Sequence, residues 1–168
     1  MYAKPKKNWT SFLPRYKMYE AVFSDEFKKQ LKKLKNKDKI MKILFIRHAS
    51  TEKNYKGFMH KIGDTAGLSI DGRDQAANLI QVCLNNDVEQ VFSSPERRAV
   101  ETAEIIVEGI NKGLEVVPDL IERNWGGWAG QSWSEVEKKL DTMNLEQRYT
   151  FVPPKGESWQ QMETRLKS

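Results

Sequence analysis

Apolar and polar positions alternate along this chain with a period that switches repeatedly between strand and helix. The run Ile43-Leu44-Phe45-Ile46 is continuously apolar and stops abruptly at Arg47-His48, which predicts a buried strand ending in two polar groups. Ala76, Leu79, Ile80 and Cys83 recur at helical spacing and predict a helix over residues 72–84. A short strand is expected at 90–92, a helix over 97–110 closed by Gly113, and a further strand over 114–117. Residues 133–140 read as another helix, and Pro153-Pro154 as a loop before a final helix starting near Glu157. Strands alternating with helices imply an α/β sandwich with a mainly parallel sheet.

The first 40 residues follow a different pattern. Residues 19–23 suit a short strand, and Ser24 is placed to cap a helix in which Phe27, Leu31 and Leu34 share a face. Asp25 and Glu26 fall in its first turn with lysines behind them, the order that the helix dipole favours. The net charge of +5 conceals an asymmetry: residues 1–42 carry +9 and residues 43–168 carry −4. The basicity belongs to the leader. We therefore expect two parts, a basic extension over 1–40 and a domain over 41–168, with nucleic-acid contact possible only through the former.

Composition narrows the class. A chain of 168 residues that is 39% hydrophobic can bury one core. Cys83 is the sole cysteine, so no intrachain disulfide forms, and its place in the helical stripe reads as packing; a reducing, cytoplasmic setting is expected. No apolar stretch approaches a membrane span, and the Lys-rich start lacks the hydrophobic region of a signal peptide. One Cys and two His without ligand spacing suggest neither a metal site nor a cofactor.

The chemistry begins at Arg47-His48. The C-terminal rim of an α/β sheet is where ligands bind, and an imidazole there, beside a guanidinium, pairs a candidate nucleophile with a phosphate clamp. The block from Ile43 through Asn54, with Arg47-His48-Ala49, Thr51 and Asn54, resembles the signature of the histidine phosphatase (phosphoglycerate mutase-like) superfamily, with Ala49 where the pattern has Gly. Four later segments fall in the same order. They are Leu68-Ser69-Ile70-Asp71-Gly72 with Gln75-Ala76, Ser93-Ser94-Pro95-Glu96-Arg97-Arg98, Leu120-Ile121-Glu122-Arg123-Asn124-Trp125-Gly126, and Gly156-Glu157-Ser158.

This resemblance implies a three-layer α/β/α sandwich, incomplete at its C-terminus. It implies a phosphomonoester hydrolase in which His48 is the nucleophile and forms a phosphohistidine, and Glu122 is the proton donor. Arg47, Thr51, Asn54 and Arg98 would bind the phosphate of a small phosphorylated substrate. Trp125, Trp128 and Trp133 suit either the pocket mouth or the core. Residues 55–67 and 125–154 are expected to line that mouth. The family carries a second catalytic His on a late strand ending in His-Gly, which residues 1–168 do not reach; His60, in the loop after the first motif, is not that residue. A chain of this extent is expected to be a weak or inactive phosphatase of low stability, the alternatives being a catalytically dead phosphate-binding module or a phosphoglycerate-type mutase. Only Arg123 and Arg148 lie between Glu122 and Gly156, so the tandem arginines of the mutases have no counterpart and hydrolysis is favoured. Residues 18–38 also resemble the start of a RelE-type toxin, a class that cleaves mRNA.

Overall fold

The computed structural model describes residues 42–167. The strand, the Lys-rich helix and the toxin-like resemblance expected within residues 1–40 lie outside the described residues.

Six helices and two strands order the described part: α1 (Glu52–Tyr55), α2 (Ile70–Asn85), β1 (Val91–Ser93), α3 (Arg97–Ile110), β2 (Leu114–Val116), α4 (Trp133–Leu140), α5 (Leu145–Thr150) and α6 (Trp159–Lys167). Single 3-10 turns stand at Pro118–Leu120 and Gly126–Trp128. β1 and β2 pair in parallel, with Val91 opposite Leu114 and Ser93 opposite Val116. Parallel neighbours need a crossover, and α3 supplies it. The α/β class expected from the alternating pattern is therefore the class observed.

Helix α2 starts where Ser69 accepts the Gly72 N–H at 3.1 Å. A Cβ at Gly72 would lie 2.1 Å from the Ser50 carbonyl oxygen, so only glycine lets the helix start close on the chain just after His48. Ser69 tightens that contact, since both its N–H and its hydroxyl donate to the same Ser50 carbonyl. Along α2 and α3 the apolar stripes meet: Cys83, Ile106 and Ile110 form one buried cluster, flanked by Leu79, Ile80, Val88 and Val91. Cys83 is 1% exposed and its thiol is pushed up by burial, as a packing residue's should be.

A second cluster of Met59, Trp125, Val136 and Leu140 carries Trp128, Ala129, Met143 and Phe151 against it. Trp125 and Trp128 therefore serve the core. Gly126 has φ +52°, and a Cβ there would stand 2.2 Å from the Pro154 carbonyl oxygen, so the turn after Trp125 also needs glycine.

Two expectations need correction. Residues 43–46 belong to no strand, and Ile43, Leu44, Phe45 and Ile46 are 43%, 38%, 64% and 40% exposed. Among the described residues the one sheet consists of β1 and β2, and this apolar run is not one of its strands. The stop of α3 is also not Gly113. Asn111 takes the left-handed conformation at φ +52° and returns its N–H to the Glu108 carbonyl, a geometry Asn adopts more readily than other non-glycine residues. No element is expected from the sequence over residues 141–152, and α5 forms there because Asn144 and Gln147 close a reciprocal capping box around its first turn.

Candidate active site

His48 follows the exposed apolar segment and is fixed through its neighbours. The Ala49 N–H donates to Thr102 Oγ1 at 3.0 Å, and the Thr102 hydroxyl donates to the Arg98 carbonyl at 2.7 Å, so the His48 turn is tied to α3. His48 Nδ1 lies 2.8 Å from the Ala49 carbonyl oxygen. A carbonyl only accepts, so Nδ1 carries the proton and Nε2 keeps its lone pair. Burial, reinforced by the charges of Arg98 and Arg47 and by His60, pushes the imidazole down to about 4 despite the opposing Ala49 hydrogen bond. At neutral pH His48 is an uncharged base with a defined tautomer.

The cations around it differ in burial. Arg47 is exposed. Arg98 is 3% exposed, and its Nη1 donates to Glu96 Oε2 at 2.8 Å. Its Nε is buried and unpartnered among the described residues. Arg97, the alternative on the same helix turn, is exposed and faces Glu101 at 4.0 Å. The structure thus separates the two arginines: Arg98 acts on His48 and Arg97 pairs on the surface.

Thr51 is fully buried and caps α1 with Asn54 in a reciprocal pair: Asn54 N–H to Thr51 Oγ1 at 3.2 Å and Thr51 N–H to Asn54 Oδ1 at 3.1 Å. The residue that sequence reasoning left without a role is His60. Its ring meets His48 edge-on with centroids 6.0 Å apart. His60 Nε2 lies 2.9 Å from Thr51 Oγ1, and Nδ1 lies 3.1 Å from Asp64 Oδ2, which also takes a hydrogen bond from Lys53 Nζ. Burial outweighs the other influences and lowers His60, helped by Arg98 and opposed by Asp64. Asp64 itself loses ionisation to burial but regains more from Lys53, the Ala66 N–H and His60, ending at about 2.

Glu122 stands apart from this group. It is exposed, its Oε1 accepts the Arg123 N–H at 2.9 Å, and no hydrogen bond or ion pair joins it to His48, Thr51, Asn54 or Arg98 among the described residues. Arg123 is fully buried, with its guanidinium carbon 4.2 Å from the Trp125 ring centroid and 4.9 Å from that of Trp159. It donates to the carbonyls of Glu157 at 2.7 Å and Phe151 at 3.1 Å, and burial lowers it to about 10 against the pull of Glu157 and Glu122. The Glu122 loop is thereby bolted to the Gly156-Glu157-Ser158 segment. The Asn124 N–H adds a bond to Glu157 Oε2 at 3.3 Å. The two segments expected at the pocket mouth are joined as well: Met59 N–H donates to the Gln131 carbonyl, Gly130 N–H to the Met59 carbonyl, and Trp133 N–H to the Gly57 carbonyl.

Among the described residues no group of three or more His, Cys, Asp or Glu is placed to hold a metal ion. No helix there is long and apolar enough to cross a membrane.

His48, the buried Arg98 on α3 and the acid-bearing Glu122 loop all lie within the stretch that comparison with known proteins matches. The profile of the histidine phosphatase superfamily, branch 1, matches residues 43–168. The chain belongs to the histidine phosphatase superfamily. It is 32% identical over 115 residues to a protein of Schizosaccharomyces pombe named a probable phosphatase, covering 65% of this chain and 41% of the relative. It is 33% identical over 101 residues to a 2,3-bisphosphoglycerate-dependent phosphoglycerate mutase of Thermoplasma acidophilum, covering 60% of this chain and 50% of the relative. Among solved structures, the mycobacterial glucosyl-3-phosphoglycerate phosphatase bound to VO3 superposes with a TM-score of 0.62 at 28% identity, covering 71% of this chain and 57% of that one. This histidine phosphatase chain thus spans about half the length of the curated relatives it matches.

Proposed function

We propose that the protein is a phosphomonoester hydrolase acting on a small phosphorylated substrate through a phosphohistidine on His48. The observation that carries this reading is a neutral imidazole whose Nδ1–H is committed to the Ala49 carbonyl while the charges of Arg98 and Arg47 act on its ring. A phosphate monoester is nearly a dianion at neutral pH, and cations must hold its oxygens before a lone pair can approach phosphorus.

In the first step His48 Nε2 bonds to phosphorus as the phosphorus–oxygen ester bond breaks, and Glu122 gives its proton to the leaving alkoxide. In the second, water bonds to phosphorus with Glu122 accepting its proton. The phosphorus–nitrogen bond breaks and neutral His48 is restored. Arg47 and Arg98 neutralise the equatorial oxygens, with Thr51 and Asn54 supplying polar contacts. The assignment of Glu122 is supported by its place in the family's motif, and its exposure makes it accessible to a substrate oxygen. Hydrolysis is preferred to mutase transfer because Arg123, one of the two arginines between Glu122 and Gly156, is spent on the core.

The test is hydrolysis of a panel of phosphomonoesters by the intact protein. Release of inorganic phosphate that disappears in His48→Ala supports the reading; release unaffected by that change refutes it.

A further inference from the structure

The chain Thr51, His60, Asp64 is a hydrogen-bonded hydroxyl–imidazole–carboxylate series set edge-on to His48, and the phosphatase reading uses only its first member. The His60 side chain is 5% exposed and that of Asp64 9%, so the series is shielded from water. Its proton positions follow from valence. The Asp64 carboxylate, also held by Lys53, can only accept, so His60 Nδ1 must carry a proton. While the ring is neutral, Nε2 is then an acceptor and the Thr51 hydroxyl donates to it.

That hydroxyl has one proton and two acceptors in reach, since Asn54 Oδ1 is also 2.9 Å from Thr51 Oγ1. If His60 gains a second proton, Nε2 becomes a donor to Thr51 and the hydroxyl proton must leave the ring. The groups that face His60 decide when this happens. Asp64 favours the proton, whereas burial, Arg98 of α3 and Lys53 of α1 oppose it, and the neutral His48 ring meets that of His60 edge-on. Glu96, at the start of α3, approaches the same loop through the Gly63 N–H at 3.4 Å. A dianion held by Arg98 would offset the strongest opposing charge.

We propose that His60 is a positioning residue of the phosphate clamp, taking up one proton from solvent as a phosphate dianion binds and so freeing the Thr51 hydroxyl proton from its ring. This rests on the phosphate-clamp reading given above. The buried series then couples anion binding to the orientation of a donor beside the nucleophile.

The experiment titrates inorganic phosphate into the intact protein and into His60→Gln between about pH 5 and 8. Phosphate's own ionisation cancels in the ratio of the two affinities. The ratio of wild type to His60→Gln should rise as pH falls, by up to about tenfold per pH unit between the free and the bound ionisation of His60. In parallel, nitrogen-15 spectra of the wild type resolve its two imidazoles, and this measurement decides the matter even if His60→Gln does not fold. The His60 nitrogens should pass from the Nδ1–H tautomer to imidazolium on saturation with phosphate. A flat ratio, or a His60 ring that stays neutral with phosphate bound, would overturn the coupling while leaving the clamp in place. Failure of the wild type to bind phosphate would overturn the clamp reading, and this inference with it.

Discussion

Arg98 and Glu96 form a buried ion pair across the first turn of α3, with Nη1 to Oε2 at 2.8 Å and side-chain exposures of 4% and 3%. Glu96 occupies the N-cap position yet makes no capping bond from its side chain. One carboxylate oxygen goes to Arg98 and the other to the Gly63 N–H. A cap typically contributes about 1 kcal/mol, so its sacrifice for one guanidinium is a small cost for fixing a buried charge. Replacing Glu96 with Ala should destabilise the fold by about 3–5 kcal/mol, because it strands the Arg98 charge. Denaturant unfolding measures this, and a loss below about 1 kcal/mol would show the pair to be unimportant.

Removing the arginine tests its ligand. Arg98→Lys keeps a charge but loses the planar fork, and should weaken inorganic phosphate or vanadate binding by about 1.5–3 kcal/mol. Arg97→Ala, on the exposed side of the same helix, should change affinity far less. Equal losses from the two substitutions would contradict the distinction drawn from their burial.

Arg123 is predicted to matter for stability rather than for phosphate. Arg123→Ala opens a gap between Trp125 and Trp159 and leaves the Glu157 and Phe151 carbonyls without their donors. The expected cost is about 3 kcal/mol or more in unfolding free energy. Phosphate affinity of the folded protein should stay near wild type, which titration at low temperature can check.

The stability profile should carry a signature of His48. Its ionisation lies below its ordinary value of 6.5, at about 4, so the unfolded chain binds more protons than the folded one in between. Stability from this group is therefore full above about pH 6.5 and is lost as pH falls towards 4. In His48→Gln the decline in melting temperature over that window should be shallower than in wild type. Identical slopes would mean that His48 is not held neutral by its surroundings.

Much of this was legible in the sequence, and what escaped has physical reasons. The bounds of α3 follow from an apolar stripe sharp enough to hold Ala103, Ile106 and Ile110 in the core. Arg98 is distinguished from Arg97 in the sequence by its motif position, and in the structure by its burial. The strand expected at 43–46 rests on an apolar run, which records only that burial is favourable; how such a run is paired is a tertiary fact. His60 escaped because a His and an Asp four apart signal contact on a helix, whereas here a loop containing Gly63 brings them together. Arg123 escaped because a lone arginine beside tryptophans looks like surface. Its burial depends on Trp159, 36 positions away, which no local pattern reveals.

The central claim is that His48 carries the phosphoryl group, and the most direct measurement is to trap it. The intact protein, mixed with a small phosphodonor and quenched under alkaline conditions, should show an acid-labile phosphoryl adduct on the peptide containing His48 and none in His48→Ala. An adduct that persists in His48→Ala, or that maps to His60 or any other residue, would contradict the account.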